Sequence, residues 1–134
     1  MTLRSLALST LLFAIPSISQ ALTLECTLKP NANVLGVITE RYVIQSDEGS
    51  GQAIVSDGII LYYNDNQPMA AKVSEDSARK LVVTWNVQMT NSTGQMTKMQ
   101  YRASWFKADG RVVIRAVPGG YTNDFEARGT CRKV

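Results

Sequence analysis

The sequence predicts an all-β protein: a small antiparallel meander of about eight strands that closes into a barrel, with a sandwich as the alternative. Three observations support this fold class. Short segments of alternating apolar and polar residues recur along the chain, and turn signals rich in glycine, asparagine, aspartate or proline separate them. No convincing helical period lies between these segments. The first and the last of them each contain one of the two cysteines, which predicts that they are neighbours.

The longest strand pair is predicted over Leu81–Lys107, as a hairpin with a three-residue loop at 92–94. Successive side chains of a strand point to opposite faces, so the loop length decides which residues share a face. A three-residue loop places Trp85 opposite Tyr101 on an apolar face and leaves the other face largely polar. Such a loop needs positive φ at its third position, where Gly94 stands. Hydrophobic pattern and turn chemistry therefore agree on one register.

A second hairpin is predicted at Asp109-Gly110, with a two-residue loop. This loop pairs Trp105 with Ile114 and keeps the apolar face continuous through a third strand. It also places Phe106 opposite Val113 on the outer face.

The remaining strands are shorter and alternate with loops. Their predicted ranges are 22–28, 39–45, 52–56, 59–63, 69–74 and 125–131. The segment 34–45 fits neither a period of two nor a helical stripe, and a short helix is the alternative there. Asp57-Gly58 is predicted to be a hairpin turn between the strands at 52–56 and 59–63.

Residues 1–21 have the order of a cleavable secretory signal. Arg4 precedes an apolar run from Leu6 to Ile15, and Ser19-Gln20-Ala21 has the pattern of a cleavage site. The run is too short to span a bilayer as a helix, and Cys26 does not follow the small residues of a lipoprotein signal. We therefore expect residues 22–134 to form one domain that is exported to the periplasm or the medium, without a membrane span or lipid anchor.

The two cysteines, Cys26 and Cys131, are predicted to form one disulfide. An oxidising compartment favours pairing of an isolated pair of cysteines. Each lies on the apolar face of its own alternating segment, so a bond between them would join the first strand to the last.

Several chemistries are excluded because the chain contains no histidine. Serine-histidine and cysteine-histidine mechanisms are impossible, as are metal sites with histidine ligands. With both cysteines oxidised, we expect a protein without a cofactor or bound metal, and without enzymatic activity. The remote alternative is a hydrolase that uses carboxylates alone, for which the acidic residues at 47–48, 75–76 and 124–126 are the candidates.

Charge is distributed unevenly along the chain. Residues 22–97 contain five basic and eight acidic side chains, whereas residues 98–134 contain eight basic and three acidic ones. The small total charge gives no reason to expect nucleic-acid binding. A protein partner with an acidic surface is the expectation for the basic part, because apolar and arginine residues together are typical of protein contact sites. The candidate partner-binding residues are Phe106, Arg111, Val113, Arg115 and Tyr121.

The expected function is that of a protein-binding or inhibitor-type module. An export signal, a disulfide and a compact barrel together resemble the general plan of small periplasmic lysozyme inhibitors, although the characteristic loop residues of those proteins are not found here. The alternative is a lipocalin-like carrier that holds a small apolar ligand in the barrel. Trp85, Tyr101 and Trp105 share the inner face; they form a packed core in the first case and line a lumen in the second.

Overall fold

The computed structural model describes residues 10–14, 21–47 and 49–134. In this part of the chain it contains eight strands and one short helix. These elements are β1 (Ala21–Leu28), β2 (Arg41–Asp47), β3 (Gln52–Ser56), α1 (Gly58–Tyr63), β4 (Met69–Asp76), β5 (Lys80–Thr90), β6 (Met96–Phe106), β7 (Arg111–Pro118) and β8 (Phe125–Lys133).

The eight strands form a closed antiparallel barrel in which each strand pairs with its neighbours in sequence and β8 pairs with β1. This confirms the predicted fold class. Closure leaves no unpaired strand edge that could template aggregation. The inward side chains come from every strand and fill the barrel with one apolar core.

The central hairpin has the predicted register. Leu81 pairs with Trp105, Trp85 with Tyr101, and the ladder continues to Thr90 and Met96. Gly94 has φ of +80°, as the three-residue loop requires. The loop is closed by a hydrogen bond of 3.0 Å from the Asn91 amide to the Gln95 carbonyl oxygen.

The predicted disulfide is also confirmed. Cys26 and Cys131 lie directly opposite each other in the β1–β8 pairing and are covalently bonded. The two strands approach closely two residues before Cys131, where a Cβ atom built on Gly129 would lie 1.9 Å from the Thr27 carbonyl oxygen. Only glycine fits this position without movement of the backbone.

The predicted register between β6 and β7 is wrong by two residues. Trp105 pairs with Val112, and Val113 lies opposite Ser104 rather than Phe106. The connection spans four residues, 107–110, and its last residue, Gly110, has φ of +77°. A four-residue loop and a two-residue loop have the same parity, so the alternation of apolar residues cannot distinguish them.

The prediction of a strand at 59–63 and a hairpin turn at Asp57-Gly58 is wrong. Residues Gly58–Tyr63 form α1, and Asp57 is its N-cap, with the carboxylate accepting a hydrogen bond of 2.7 Å from the Ile60 amide. Aspartate is favoured both in tight turns and at helix N-caps, and here the second role applies.

The strand predicted at 39–45 begins two residues later, as β2. The preceding segment forms helix-like turns, in which the Ile38 amide donates to the Val34 carbonyl oxygen at 2.8 Å, but no helix. Val34 and Ile38 are buried in the core, which explains why this segment has apolar residues without a strand period.

Because successive strands run in opposite directions, successive connections lie at alternate ends of the barrel. We call the end that carries the connections 29–40, 57–68, 91–95 and 119–124 the loop end. The opposite end carries the short connections 48–51, 77–79 and 107–110, together with the start of β1 and the end of β8.

The predicted secretory signal falls mostly outside the described residues. Within it, residues 10–14 are exposed and have no regular secondary structure, and Ala21 is the first residue of β1.

Candidate functional site

A broad groove of about 1250 Å³ crosses the outer wall of the barrel. Most of the side chains that line it project outward from β2 to β7, because strands place alternate residues on opposite faces. Neighbouring strands contribute them in two parallel rows, so each row follows from the strand register.

The first row contains the positive charges of the groove. It runs from Lys72 on β4 through Thr84 on β5 and Arg102 on β6 to Arg115 on β7, each paired in register with the next. Adjacent strands lie about 5 Å apart, so the backbone positions of Lys72 and Arg102 are separated by roughly 10 Å. Three cationic side chains therefore project from one line across the wall.

Arg102 and Arg115 are directly opposite each other, and like charges in this arrangement destabilise a sheet. Arg115 is compensated, since it pairs with Asp124 and lies 3.9 Å from a Glu126 carboxylate oxygen. These contacts raise the pKa of Arg115, with the Asp124 hydrogen bond as the largest cause. Arg102 has no ion pair among the residues that the structure describes, so its charge is available to a ligand.

The second row is apolar and amide-rich. It comprises Gln45, Ile54, Ala70, Asn86, Gln100 and Val117, from β2 to β7 in order. Ile54 and Val117 are exposed there. An apolar strip beside a basic row is a combination found at protein contact sites. Arginine is enriched in such sites, and polar side chains surround their apolar centre.

Four of the five residues predicted to bind a partner follow one another along the outer face of the barrel, and the fifth lies apart. Phe106 lies at the end of the barrel opposite the loop end, where the guanidinium of Arg111 stands over its ring at 5.2 Å. Val113 is half-buried further along β7, and Arg115 lies in the groove. Tyr121 belongs to the connection 119–124, at the loop end.

Arg111 is already engaged by a neighbouring carboxylate. Its side chain donates to Asp109 at 2.6 Å, and its backbone amide donates to the same carboxylate at 3.1 Å. These bonds, the backbone one first, hold the pKa of Asp109 below its usual range. Because its charge is compensated locally, Arg111 is a weaker candidate for partner binding than Arg102.

The predicted inward aromatic residues are part of the packed core. Trp85 stacks on Tyr101 with ring centroids 5.3 Å apart and planes nearly parallel. The Tyr42 ring packs on Trp85, with ring centroids 6.0 Å apart. Trp105 lies in the same core. The indole nitrogens of both tryptophans are buried, with no hydrogen-bond partner among the described residues. These rings occupy the space in which a carrier would hold its ligand.

A buried polar cluster ties two connections of the loop end together. One carboxylate oxygen of Asp57 caps α1, and the other accepts a hydrogen bond of 2.7 Å from the Thr39 hydroxyl. The Tyr101 hydroxyl donates to the Val37 carbonyl oxygen at 2.7 Å. This cluster therefore fixes the segment 29–40 and α1 above the core.

Of the carboxylates suggested for catalysis, Glu75, Asp76, Asp124 and Glu126 contact cations, Asp47 has no ion pair among the described residues, and Glu48 lies outside those residues. Asp76 pairs with Lys107 at 2.6 Å, Glu75 lies 3.9 Å from Lys80, and Glu126 pairs with Arg128 at 2.8 Å. In the described part of the chain, no group of three or more acidic or cysteine side chains is placed to hold a metal ion.

Comparison of the chain with protein-family models, with curated proteins and with solved structures finds no match. The function is therefore inferred from the geometry of the groove and its surroundings.

Proposed function

We propose that the chain is an exported, non-enzymatic binding module of the inhibitor type, which recognises an acidic surface of a protein partner through the outer-wall groove. The uncompensated charge of Arg102, opposite Arg115 and in line with Lys72, is the observation that carries the proposal. A carboxylate of the partner placed beside Arg102 would compensate its charge, as Asp124 already does for Arg115.

The chemistry of arginine suits this role. Its planar guanidinium can bind a carboxylate through two parallel hydrogen bonds, which adds geometric specificity to the charge attraction. Arg102 also projects from the middle of β6, in a closed sheet, so its backbone position is already fixed before binding. Sites on strands are positioned more accurately than sites on flexible loops.

Export is supported by one structural feature. The intramolecular disulfide is the kind of bond that persists in oxidising compartments, and it is compatible with the secretory signal predicted from the sequence. The described residues contain no helix with the length and hydropathy of a membrane span.

The experiment is affinity capture from the envelope and medium of the source organism with wild type and the double variant Lys72→Glu/Arg102→Glu. The matched control is Arg41→Glu/Arg79→Glu, which reverses two exposed cations outside the groove. We expect one specific partner, retained by the control and lost by the groove variant.

The affinity for the purified partner should fall by roughly tenfold or more in the groove variant, and rising salt should weaken wild-type binding. Equal affinity of wild type and groove variant would contradict the proposal.

A further inference from the structure

The two arginines of the groove differ in their surroundings. Arg102 and Arg115 lie directly opposite each other on β6 and β7, and the Cβ atoms of such a pair are about 5 Å apart. Arg102 has no ion pair among the residues that the structure describes, whereas Arg115 donates a hydrogen bond to the carboxylate of Asp124. One of the two adjacent guanidinium groups is therefore already bound to a carboxylate of the same chain.

Asp124 is the main carboxylate partner of Arg115. Glu126 lies opposite Arg115 in the β7–β8 register, but one of its oxygens is 3.9 Å from the Arg115 Nε, and the other accepts a hydrogen bond of 2.8 Å from Arg128. The charge of Arg115 is thus compensated mainly by a residue outside the sheet, the last one of the connection 119–124.

The contact between Asp124 and Arg115 is exposed to solvent. The exposed fractions of the two side chains are 41% and 53%. Ion pairs in such positions contribute little to stability, because water screens the charges and two side chains must be held in one geometry. A carboxylate from another molecule can therefore replace Asp124 at a small cost in free energy.

The backbone that carries Asp124 is weakly held. All six residues of the connection 119–124 are exposed, so none of them packs in the core. Gly119 and Tyr121 each donate a backbone hydrogen bond, to Lys98 and Pro118, whereas no turn or loop hydrogen bond between backbone groups of the described chain involves residues 122–124. Segments with few buried contacts and few backbone hydrogen bonds move most easily.

We infer that Asp124 competes with the acidic partner for Arg115. In the absence of the partner its carboxylate is bound to Arg115, and in the complex an acidic side chain of the partner takes its place while a second one binds Arg102. The inference rests on the proposed function and specifies how the same site is regulated. It also defines the partner surface more closely, as one with two neighbouring carboxylates about 5 Å apart, the spacing of the two arginines.

This arrangement has a physical reason. Two arginines that face each other across a strand pair destabilise the sheet when neither charge is compensated. Asp124 offsets this repulsion in the absence of a partner. It makes no ion pair with Arg102 in the described structure, so the charge of Arg102 can attract the partner at first encounter. In the complex, the partner's carboxylates supply the compensation for both arginines.

The test measures binding of a fluorescein-labelled peptide of six glutamates to the full oxidised chain by fluorescence anisotropy. Asp124→Asn should increase the affinity by roughly threefold to tenfold, because Arg115 becomes available to the peptide. The matched control is Asp109→Asn, which removes the same charge and breaks a similar ion pair, with Arg111, outside the groove. Its affinity should equal that of wild type. All these positions are exposed, and circular dichroism would show that the fold is retained.

Two further variants test whether the effect passes through Arg115. Arg115→Gln should lower the affinity of the wild type only slightly, because the charge that it removes is already compensated. Asp124→Asn/Arg115→Gln should then show no gain over Arg115→Gln. In wild type, the peptide should also shift the backbone amide resonances of residues 122–124. A merely structural contact would change the unfolding midpoint of Asp124→Asn and none of these measurements.

Several results would overturn the inference. One is equal peptide affinity of wild type and Asp124→Asn. Another is an equal gain in Asp109→Asn, which would show a general effect of net charge, and a third is a gain that persists in the double variant without Arg115. The groove variant Lys72→Glu/Arg102→Glu is measured in parallel. If it loses the peptide while Asp124→Asn gains nothing, the inference alone fails. If it binds the peptide as wild type does, or if no protein binds it, the proposed function fails as well.

Discussion

Two tyrosine side chains lie deep in the loop end of the barrel, close to a buried carboxylate. Tyr42 and Tyr101 are almost fully buried, and burial is the main reason that the pKa of each hydroxyl lies well above its usual range. The negative charge of Asp57 is the second cause for both. These hydroxyls therefore remain neutral in the folded protein at pH values where an exposed tyrosine ionises.

This shift predicts a loss of stability in alkali. Tyrosines of the unfolded chain ionise near pH 10, while Tyr42 and Tyr101 keep their protons in the fold. Above that pH the unfolded state binds fewer protons than the folded state. The contribution of these two tyrosines to the free energy of unfolding is therefore fully present below about pH 10 and is lost as the pH rises further. Denaturant titrations at increasing pH, with tyrosinate absorbance recorded in parallel, measure this slope.

Tyr101→Phe should reduce the slope, although loss of the bond to Val37 lowers the stability at neutral pH. Tyr62→Phe, which removes an exposed tyrosine, is the control. Ionisation of Tyr42 and Tyr101 near pH 10 in the intact fold would contradict the expectation.

The key residue of the candidate site was not recognisable from the sequence. The alternation of side chains along β6 places Arg102 on the outer face, and this position could be predicted from the sequence. The predicted β6–β7 register, however, sets Arg102 opposite Val117, whereas the observed register sets it opposite Arg115. A shift of two residues keeps every side chain on the same face of the sheet but changes which residues are paired. The pairing of the two arginines therefore could not be predicted from the hydrophobic pattern.

At the scale of elements, the β5–β6 hairpin was predictable because two independent constraints select its register. The apolar alternation excludes loops of even length, and Gly94 supplies the positive φ that a three-residue loop needs. The same reasoning failed at α1. Isoleucine and tyrosine favour strands, and the decisive contact, from the Asp57 side chain to the Ile60 amide, lies within a segment too short to show a helical period.

Gly94→Val tests the hairpin directly. A β-branched residue is strongly disfavoured at φ of +80°, although no atom lies within 4 Å of the added Cβ. We therefore expect a loss of more than about 1 kcal/mol in the free energy of unfolding, from backbone strain rather than from a clash. Urea denaturation provides the measurement.

Gly36→Ala is the matched control, since its Cβ would also meet open space and its φ is outside the positive region. An equal denaturation midpoint for Gly94→Val and wild type would show that the loop adopts another conformation.

At the scale of the whole molecule, the barrel is closed by the pairing of its first and last strands. The disulfide joins residues 105 positions apart in sequence, so it restricts most of the unfolded chain. A loop of this size corresponds to about 4 to 5 kcal/mol of stabilisation by chain entropy.

Cys26→Ser/Cys131→Ser should therefore unfold at much lower denaturant concentration than wild type, and reductant should affect only the wild type. Intact-mass analysis after thiol labelling should detect two reactive thiols in the wild type only after reduction. Labelling of the untreated protein, or equal midpoints for the two proteins, would be inconsistent with a stabilising bond.

The pairing of β1 with β8 also places the two ends of the folded domain side by side. The Val134 amide bonds to the Thr23 carbonyl oxygen at 3.1 Å, on the side of the barrel opposite the loop end. A tag or a fused domain attached at either terminus would emerge away from the connection 119–124, so immobilisation would leave Asp124 accessible. A short linker across this gap would permit circular permutation, with new termini opened in a connection at either end.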